Sequence, residues 1–237
     1  RGSLFVALSG ANFNGNKFIK QALNSGCLFA ISDDPKYLNH KNVVLVDDSI
    51  GLLHDLANFH RNMFNIPVLA ITGTNGKTTT KELLNSVLSK KYKVLSTLGN
   101  LNNHIGVPLT LLRLRKEHDF AIIEMGANHI GDIKELCEIA EPNYGVITNV
   151  GKAHMEGFGS FQNIITTKTE LYNFVESIKG RLFVNLNETE LKNKSTNLTE
   201  PILYGGNDYL NYTLTPNLEL LSLTINDQVV KTKLFGN

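Results

Sequence analysis

The sequence predicts an α/β fold built on a largely parallel sheet, in two units that meet near residue 66. Three observations carry this. Short β-branched or apolar runs alternate with helical patterns along most of the chain, the pattern of a parallel sheet covered by helices. A helical stretch then breaks at Asn65-Ile66-Pro67, and a second, stronger strand–helix series starts at once from Val68. After Asn187 the texture changes to a polar loop at 192–197, followed by strand-like runs. The 237 residues suffice for one large domain or two ordinary ones. The division is therefore a small α/β unit over 1–66 and a larger α/β unit over 67–237 with a β-rich C-terminal segment.

In the first unit, strands are expected at 4–8, 27–31 and 43–46, with helices at 17–24 and 50–64. Along 50–64, Leu52, Leu53, Leu56, Phe59 and Met63 recur at three- and four-residue steps, so one buried stripe is expected. In the second unit, strands at 68–72, 93–97, 120–124, 145–149 and 181–185 alternate with helices at 77–90, 104–113, 132–140 and 161–176. On the first of these helices Leu83, Leu84, Val87 and Leu88 are expected to face inward. The end of the chain reads as strands at 209–214, 218–225 and 229–234, joined as hairpins at Pro216-Asn217 and Asn226-Asp227.

Composition removes several classes. Hydrophobic residues make up 42% and charged residues 19%, an ordinary globular balance rather than that of a disordered chain. No apolar run approaches the roughly 20 residues that span a bilayer, so no membrane association is expected. A net charge of +1 lacks the basic excess of a nucleic-acid binder. Cys27 and Cys137 lie far apart without metal spacing, and read as reduced core thiols in a cytoplasmic protein without an export signal. The abrupt start at Arg1-Gly2-Ser3 reads as a chain entered partway.

The most informative stretch is 70–80, AITGTNGKTTT. An apolar strand runs into a glycine-bracketed loop, then Lys77-Thr78, then a helix. Gly73, Thr74, Asn75, Gly76, Lys77, Thr78 and Thr79 would cradle phosphates, because glycines let successive N–H groups converge at a helix N-terminus. Lys77 would reach the β- and γ-phosphates and the Thr78 hydroxyl would hold Mg²⁺. The match to G-x-x-x-x-G-K-[ST] is incomplete, since Ile71 stands where the first glycine belongs. A tight turn with an incidental lysine is the competing reading, and binding of ATP or GTP is the better one. The second unit is thus a P-loop-type domain. Glu124 ends the apolar strand 120–124, at the sheet edge where such folds hold ligands, and suits a Mg²⁺ ligand. His154 follows the strand 145–149 on a glycine-rich loop. As adjacent parallel strands, these two are expected to deliver Glu124 and His154 to the same sheet edge. By spacing alone His154 is as readily a surface residue, Lys168 a surface lysine, and Asn102 or Asn103 a helix cap.

Four segments beyond the loop resemble the Mur ligases, the ATP-dependent enzymes that build the peptidoglycan stem peptide: 99–110 (GNLNNHIGVPLT), 124–133 (EMGANHIGDI), 148–160 (TNVGKAHMEGFGS) and 167–171 (TKTEL). The first unit also resembles that family's uridine-nucleotide domain, with Asn14-Gly15-Asn16 where Asp-Gly-His is usual. The resemblance implies ATP and two Mg²⁺ ions as cofactors. It makes Lys77, His154 and Lys168 catalytic, Thr78, Glu124, His154 and Lys168 metal ligands, and Lys168 carbamylated by CO₂. It implies that Asn102, Asn103 and His104 face the muramoyl-peptide. The segments at 99–110 and 124–133 favour the family member that joins D-Ala-D-Ala to UDP-MurNAc-tripeptide through an acyl phosphate, as a monomer. Other readings are another ligase of the superfamily, a P-loop NTPase switch, or a nucleotide-binding module. The family continues past residue 237, so little ligase turnover is expected of this length of chain alone.

Overall fold

The computed structural model describes residues 2–153, 155–206, 212–215, 222–225 and 228–231. The chain opens with β1 (Leu4–Val6), a short antiparallel pair β2 (Ser9–Gly10) and β3 (Phe13–Asn14), and a 3-10 turn (Gly15–Phe18) leading into α1 (Ile19–Asn24). Next come β4 (Phe29–Ser32), β5 (Val43–Leu45) and α2 (Ser49–Asn62). β1, β4 and β5 form a parallel sheet in the order β1-β4-β5.

The second series is β6 (Val68–Thr72), α3 (Lys77–Leu88), β7 (Val94–Ser96), α4 (Gly106–Leu111), β8 (Phe120–Glu124), α5 (Asp132–Ala140), β9 (Tyr144–Ile147), α6 (Met155–Phe158), α7 (Phe161–Ser177), β10 (Arg181–Asn185), α8 (Thr189–Ser195) and β11 (Ile202–Tyr204). Its strands build one six-stranded parallel sheet in the order β11-β10-β9-β6-β8-β7. All five residues of β6 are buried, as a central parallel strand covered on both faces requires. The chain leaves β6 for one edge of the sheet, returns through β8, and crosses to β9 on the other side. Strand order therefore reverses at β6, and the crevice at the carboxyl ends of the strands opens there.

The larger core packs one face of this sheet under α4, α5 and α7, with Val107, Leu111, Ile133, Leu136, Ile164 and Leu171 buried. On the other face Leu69, Ile71, Ile122 and Val146 meet Leu84 and Leu88 of α3. Three further strands, β12 (Tyr212–Thr215), β13 (Ser222–Ile225) and β14 (Gln228–Lys231), pair antiparallel in that order. The hairpin residues Pro216, Asn217, Asn226 and Asp227 lie outside the described residues.

The structure corrects several expectations. In α2 the buried line is Ser49, Leu53, Ala57 and Arg61, at strict four-residue steps, while Phe59 and Met63 are 70% and 67% exposed. The cause is that α2 packs on α4 and α5 and sends Arg61 into the seam, where it donates to the carbonyls of Ala140, Phe64 and Glu141. Asn58 beside it donates to the carbonyls of Glu138 and Ile139. In α3, Leu83 and Val87 are exposed, and the inward line is Lys81, Leu84 and Leu88. The polar stretch 192–197 falls largely in α8, whose single buried residue is Leu191. β8 and β9 are not neighbours, since β6 lies between them. Both cysteines are free; Cys137 is buried, and burial pushes its thiol pKa up.

Candidate nucleotide-binding site

Residues Gly73–Gly76 connect β6 to α3 at the strand-order reversal, and Lys77–Thr79 form the first turn of α3. Gly76 caps α3 with φ +76° and no side-chain hydrogen bond, so the first N–H groups of the helix stay open. Gly73 has φ +141°, and a Cβ there would land on the Thr148 hydroxyl and 3.1 Å from the Thr148 nitrogen. The loop is held by the segment after β9. Thr74 N donates to Asn149 O at 3.1 Å, and Asn75 N to Asn149 Oδ1 at 2.9 Å. Thr148 Oγ1 and Asn149 Nδ2 both donate to Asn75 O, at 2.7 and 3.0 Å. Gly151 N donates to Thr74 Oγ1 at 2.9 Å.

The Lys77 ammonium folds back on its own loop, donating to Gly73 O at 2.7 Å and Thr74 O at 3.0 Å. Burial holds its pKa below the usual lysine range, against the charge of Glu124. Thr78 and Thr79 are exposed on the first turn of α3.

Glu124 pairs with Ile71 across the β6–β8 ladder, which carries its carboxylate to the loop. The residue is 1% exposed. Its Oε1 accepts from Thr78 Oγ1 at 3.2 Å and from Asn102 Nδ2 at 2.8 Å. Its Oε2 is buried with no hydrogen-bond partner among the described residues. A buried carboxylate with one oxygen beside a threonine hydroxyl and the other without a donor suits a hard cation such as Mg²⁺. Among the described residues no group of three His, Cys, Asp or Glu side chains is placed to hold a metal. The fitting donors are therefore Thr78 and Glu124, with His154 outside the described residues.

Sequence reading passed over Lys81. It is fully buried, and its Nζ donates to Gly99 O at 2.9 Å and lies 3.8 Å from Glu124 Oε2. The available signal was its place four residues after Lys77, on the same face of α3.

A cavity of about 420 Å³ opens beside the loop, lined among others by Gly73, Lys77, Asn102, Asn103, His104 and Lys168. Within it the roles of the 102–104 segment diverge. Asn102 turns to Glu124, while Asn103 Oδ1 accepts from the nitrogens of Ile105 and Gly106 and so caps the start of α4. His104 is exposed, and its carbonyl takes a hydrogen bond from His54 Nε2 at 2.7 Å.

Lys168 enters the cavity from α7. It is 4% exposed, with Nζ 5.9 Å from the Phe158 ring centroid. Burial first, then the charge of Lys77, brings its pKa down to about 8, against Asp132 and Glu170. Glu170, two residues further along the same helix, accepts from the nitrogens of Gly131 and Lys134 at 3.0 and 2.8 Å. It thereby caps α5, whose own N-cap is a glycine, and locks α5 to α7. Burial raises the Glu170 pKa, and these N–H bonds oppose it.

A central parallel strand, a glycine-bracketed loop, a Lys-Thr helix start and a carboxylate on the adjoining strand define a P-loop-type α/β fold. The family described as the Mur ligase middle domain matches residues 71–234, and the chain belongs to that family. Among curated relatives, the UDP-N-acetylmuramoyl-tripeptide–D-alanyl-D-alanine ligase of Bacillus subtilis is 40% identical and that of Synechocystis 45% identical, each over 172 residues. Each match covers 72% of this chain and 38% of the relative, so the chain spans well under half of either. The crystal structure of MurF ligase from Thermotoga maritima in complex with ADP superposes with a TM-score of 0.85 at 32% identity, covering 100% of this chain and 56% of that one. MurF from Acinetobacter baumannii gives 0.85 at 31%, covering 99% and 54%. Among the described residues no helix is long and apolar enough to cross a membrane.

Proposed function

We propose that this chain is the nucleotide-binding part of an ATP-dependent, ADP-forming ligase that joins D-Ala-D-Ala to UDP-MurNAc-tripeptide in cytoplasmic peptidoglycan precursor synthesis. The observation that carries the reading is the meeting of Thr78 with the buried Glu124 carboxylate, beside a cavity that Lys77 and Lys168 share. The names of the relatives support the choice of substrates.

Forming an amide from a carboxylate at neutral pH needs a better leaving group than hydroxide. The terminal carboxylate of the tripeptide attacks the γ-phosphorus of ATP, ADP leaves, and an acyl phosphate results. The amine of D-Ala-D-Ala then adds to the acyl carbon, loses a proton, and expels phosphate from the tetrahedral intermediate. Lys77 exchanges the Gly73 and Thr74 carbonyls for phosphate oxygens, and the open N–H groups of α3 hold the phosphates. Thr78 and Glu124 would hold Mg²⁺, and His154 would serve a second ion. Bound Mg²⁺ supplies charge neutralisation between the anionic carboxylate and the anionic phosphate. The neutral amine of Lys168 adds CO₂, forming an N–C bond and releasing a proton to water, which turns a cationic side chain into an anionic oxygen donor. Asn102 orients Glu124, and the cavity beyond it takes the peptide end of the muramoyl substrate.

The test is ADP release by the full-length protein with Mg-ATP, UDP-MurNAc-tripeptide and a panel of D-Ala-D-Ala, meso-diaminopimelate, L-Lys and L-Glu. The expected result is release that needs both tripeptide and D-Ala-D-Ala and vanishes in Lys77→Ala. Release with no amine present would mean an NTPase, and release with another amine a different ligase.

A further inference from the structure

We propose that Lys81 is a positioning residue whose fixed charge makes divalent-cation binding at Glu124 depend on bound nucleotide. The proposal rests on the reading of Glu124 as a metal ligand and extends it to a residue that reading leaves unused.

Lys81 has no exposed surface, a rare condition for a lysine in a fold of this size. Among the described residues its ammonium has three polar neighbours: Gly99 O at 2.9 Å, Glu82 Oε1 at 3.0 Å and Glu124 Oε2 at 3.8 Å. The last distance is too long for a hydrogen bond and short enough for a strong charge effect in a buried setting. Glu124 therefore has one oxygen taken by Thr78 and Asn102, and a second whose negative charge is offset from behind by Lys81.

A cation that approaches the protein alone meets a carboxylate already balanced and, among the described residues, no cluster of further acidic or imidazole ligands. Mg²⁺ wants about six oxygens. Thr78 and Glu124 by themselves do not supply that set, and the adjoining Lys81 and Lys77 charges make the pocket less attractive still. Nucleotide phosphates change both terms, bringing several oxygens and several negative charges to the open end of α3. The cation then enters as a companion of the nucleotide. The same lysine ties Gly99, in the loop after β7 that also carries Asn102 and His104, to the helix that holds Lys77. The side chain thus joins the nucleotide helix to the loop whose residues Asn102, Asn103 and His104 line the cavity.

The experiment is a Mn²⁺ titration of the full-length protein, read by electron paramagnetic resonance, with and without ADP. Three proteins are compared: wild type, Lys81→Gln, which keeps a donor for Gly99 O but loses the charge, and Lys81→Arg, which keeps the charge. The expected result is that Lys81→Gln binds Mn²⁺ without nucleotide about tenfold more tightly than wild type, the scale of one partly screened neighbouring charge, whereas Lys81→Arg does not. Unchanged or weaker nucleotide-free binding in Lys81→Gln overturns the proposal, since a lysine that merely anchors Gly99 gives that result. If the glutamine variant does not fold, Lys81→Met replaces it, and wild type alone still decides against the idea if it binds Mn²⁺ equally well with and without ADP. A Glu124→Gln protein that keeps wild-type Mn²⁺ binding in the presence of ADP shows instead that Glu124 is no ligand, and removes the reading beneath the proposal.

Discussion

Replacing Lys168 by methionine should make the protein more stable at neutral pH. The side chain is 4% exposed, and its pKa lies near 8 instead of the usual 10.5 because burial and the Lys77 charge disfavour the ammonium. A displacement of that size corresponds to a folding cost on the order of 3 kcal/mol. The sign follows from which state holds the proton. Below about pH 8 the lysine is protonated both folded and unfolded, and the whole cost is present. Between there and pH 10.5 only the unfolded chain keeps the proton, so the cost fades as pH rises, and above 10.5 it is gone. Methionine fills similar space against Phe158 without the charge. Urea unfolding of both full-length proteins in CO₂-free buffer at pH 7, 8.5 and 10 should give a stability gap of about 1–3 kcal/mol at pH 7 that shrinks to roughly a quarter of that size by pH 10. A variant less stable than wild type at pH 7, or a gap indifferent to pH, would refute the reasoning. The same depression serves chemistry: at pH 8 about half of Lys168 is neutral, against roughly 0.3% of an ordinary lysine. Only the neutral amine adds CO₂, so bicarbonate should shift wild type and leave the methionine protein unmoved.

Two further perturbations test the frame around the site. Gly73→Ala forces a left-handed φ on an L residue and drives its Cβ into Thr148, so a loss of about 2–4 kcal/mol is expected, with ADP binding falling in parallel. Calorimetric melting and ADP titration check it, and a melting temperature equal to wild type would count against the close approach. Arg61→Met removes three donors to backbone carbonyls in the seam between α2 and α5 and should destabilise by about 3 kcal/mol. Denaturant unfolding reads this directly, and a loss below about 0.5 kcal/mol would show that α2 is held by its apolar contacts alone.

Strands buried on both faces were the most legible part of the fold. The runs at 68–72 and 120–124 are strands at those positions because an unbroken apolar segment between helices has few other uses, while 181–185 is a strand whose burial alternates. Helix faces were less legible. Periodicity reports spacing, and in α2 and α3 the residues facing inward include Arg61 and Lys81, whose burial depends on carbonyls supplied from distant segments. Phe59 and Val87 share the apolar spacing but face solvent. Strand order is not legible either, because consecutive apolar runs do not say which of them pair, and the phosphate-loop strand separates β8 from β9. In the site, the meeting of Thr78 with Glu124 follows from a strand end beside a loop and was readable as such. That Asn102 turns to Glu124 while Asn103 caps a helix was not, because the two amides look alike until the chain has folded.

The bonds between 148–151 and 73–75 bear on how a phosphate would be received. An unsupported glycine loop samples many shapes, and selecting one costs about 1–2 kcal/mol per residue. Here Thr74 and Asn75 are tethered at backbone and side chain by Thr148, Asn149 and Gly151. That entropy has already been surrendered when the sheet forms. The loop behaves as a finished mould, and the free energy of a ligand's contacts goes into holding the ligand rather than into shaping the hand that grips it.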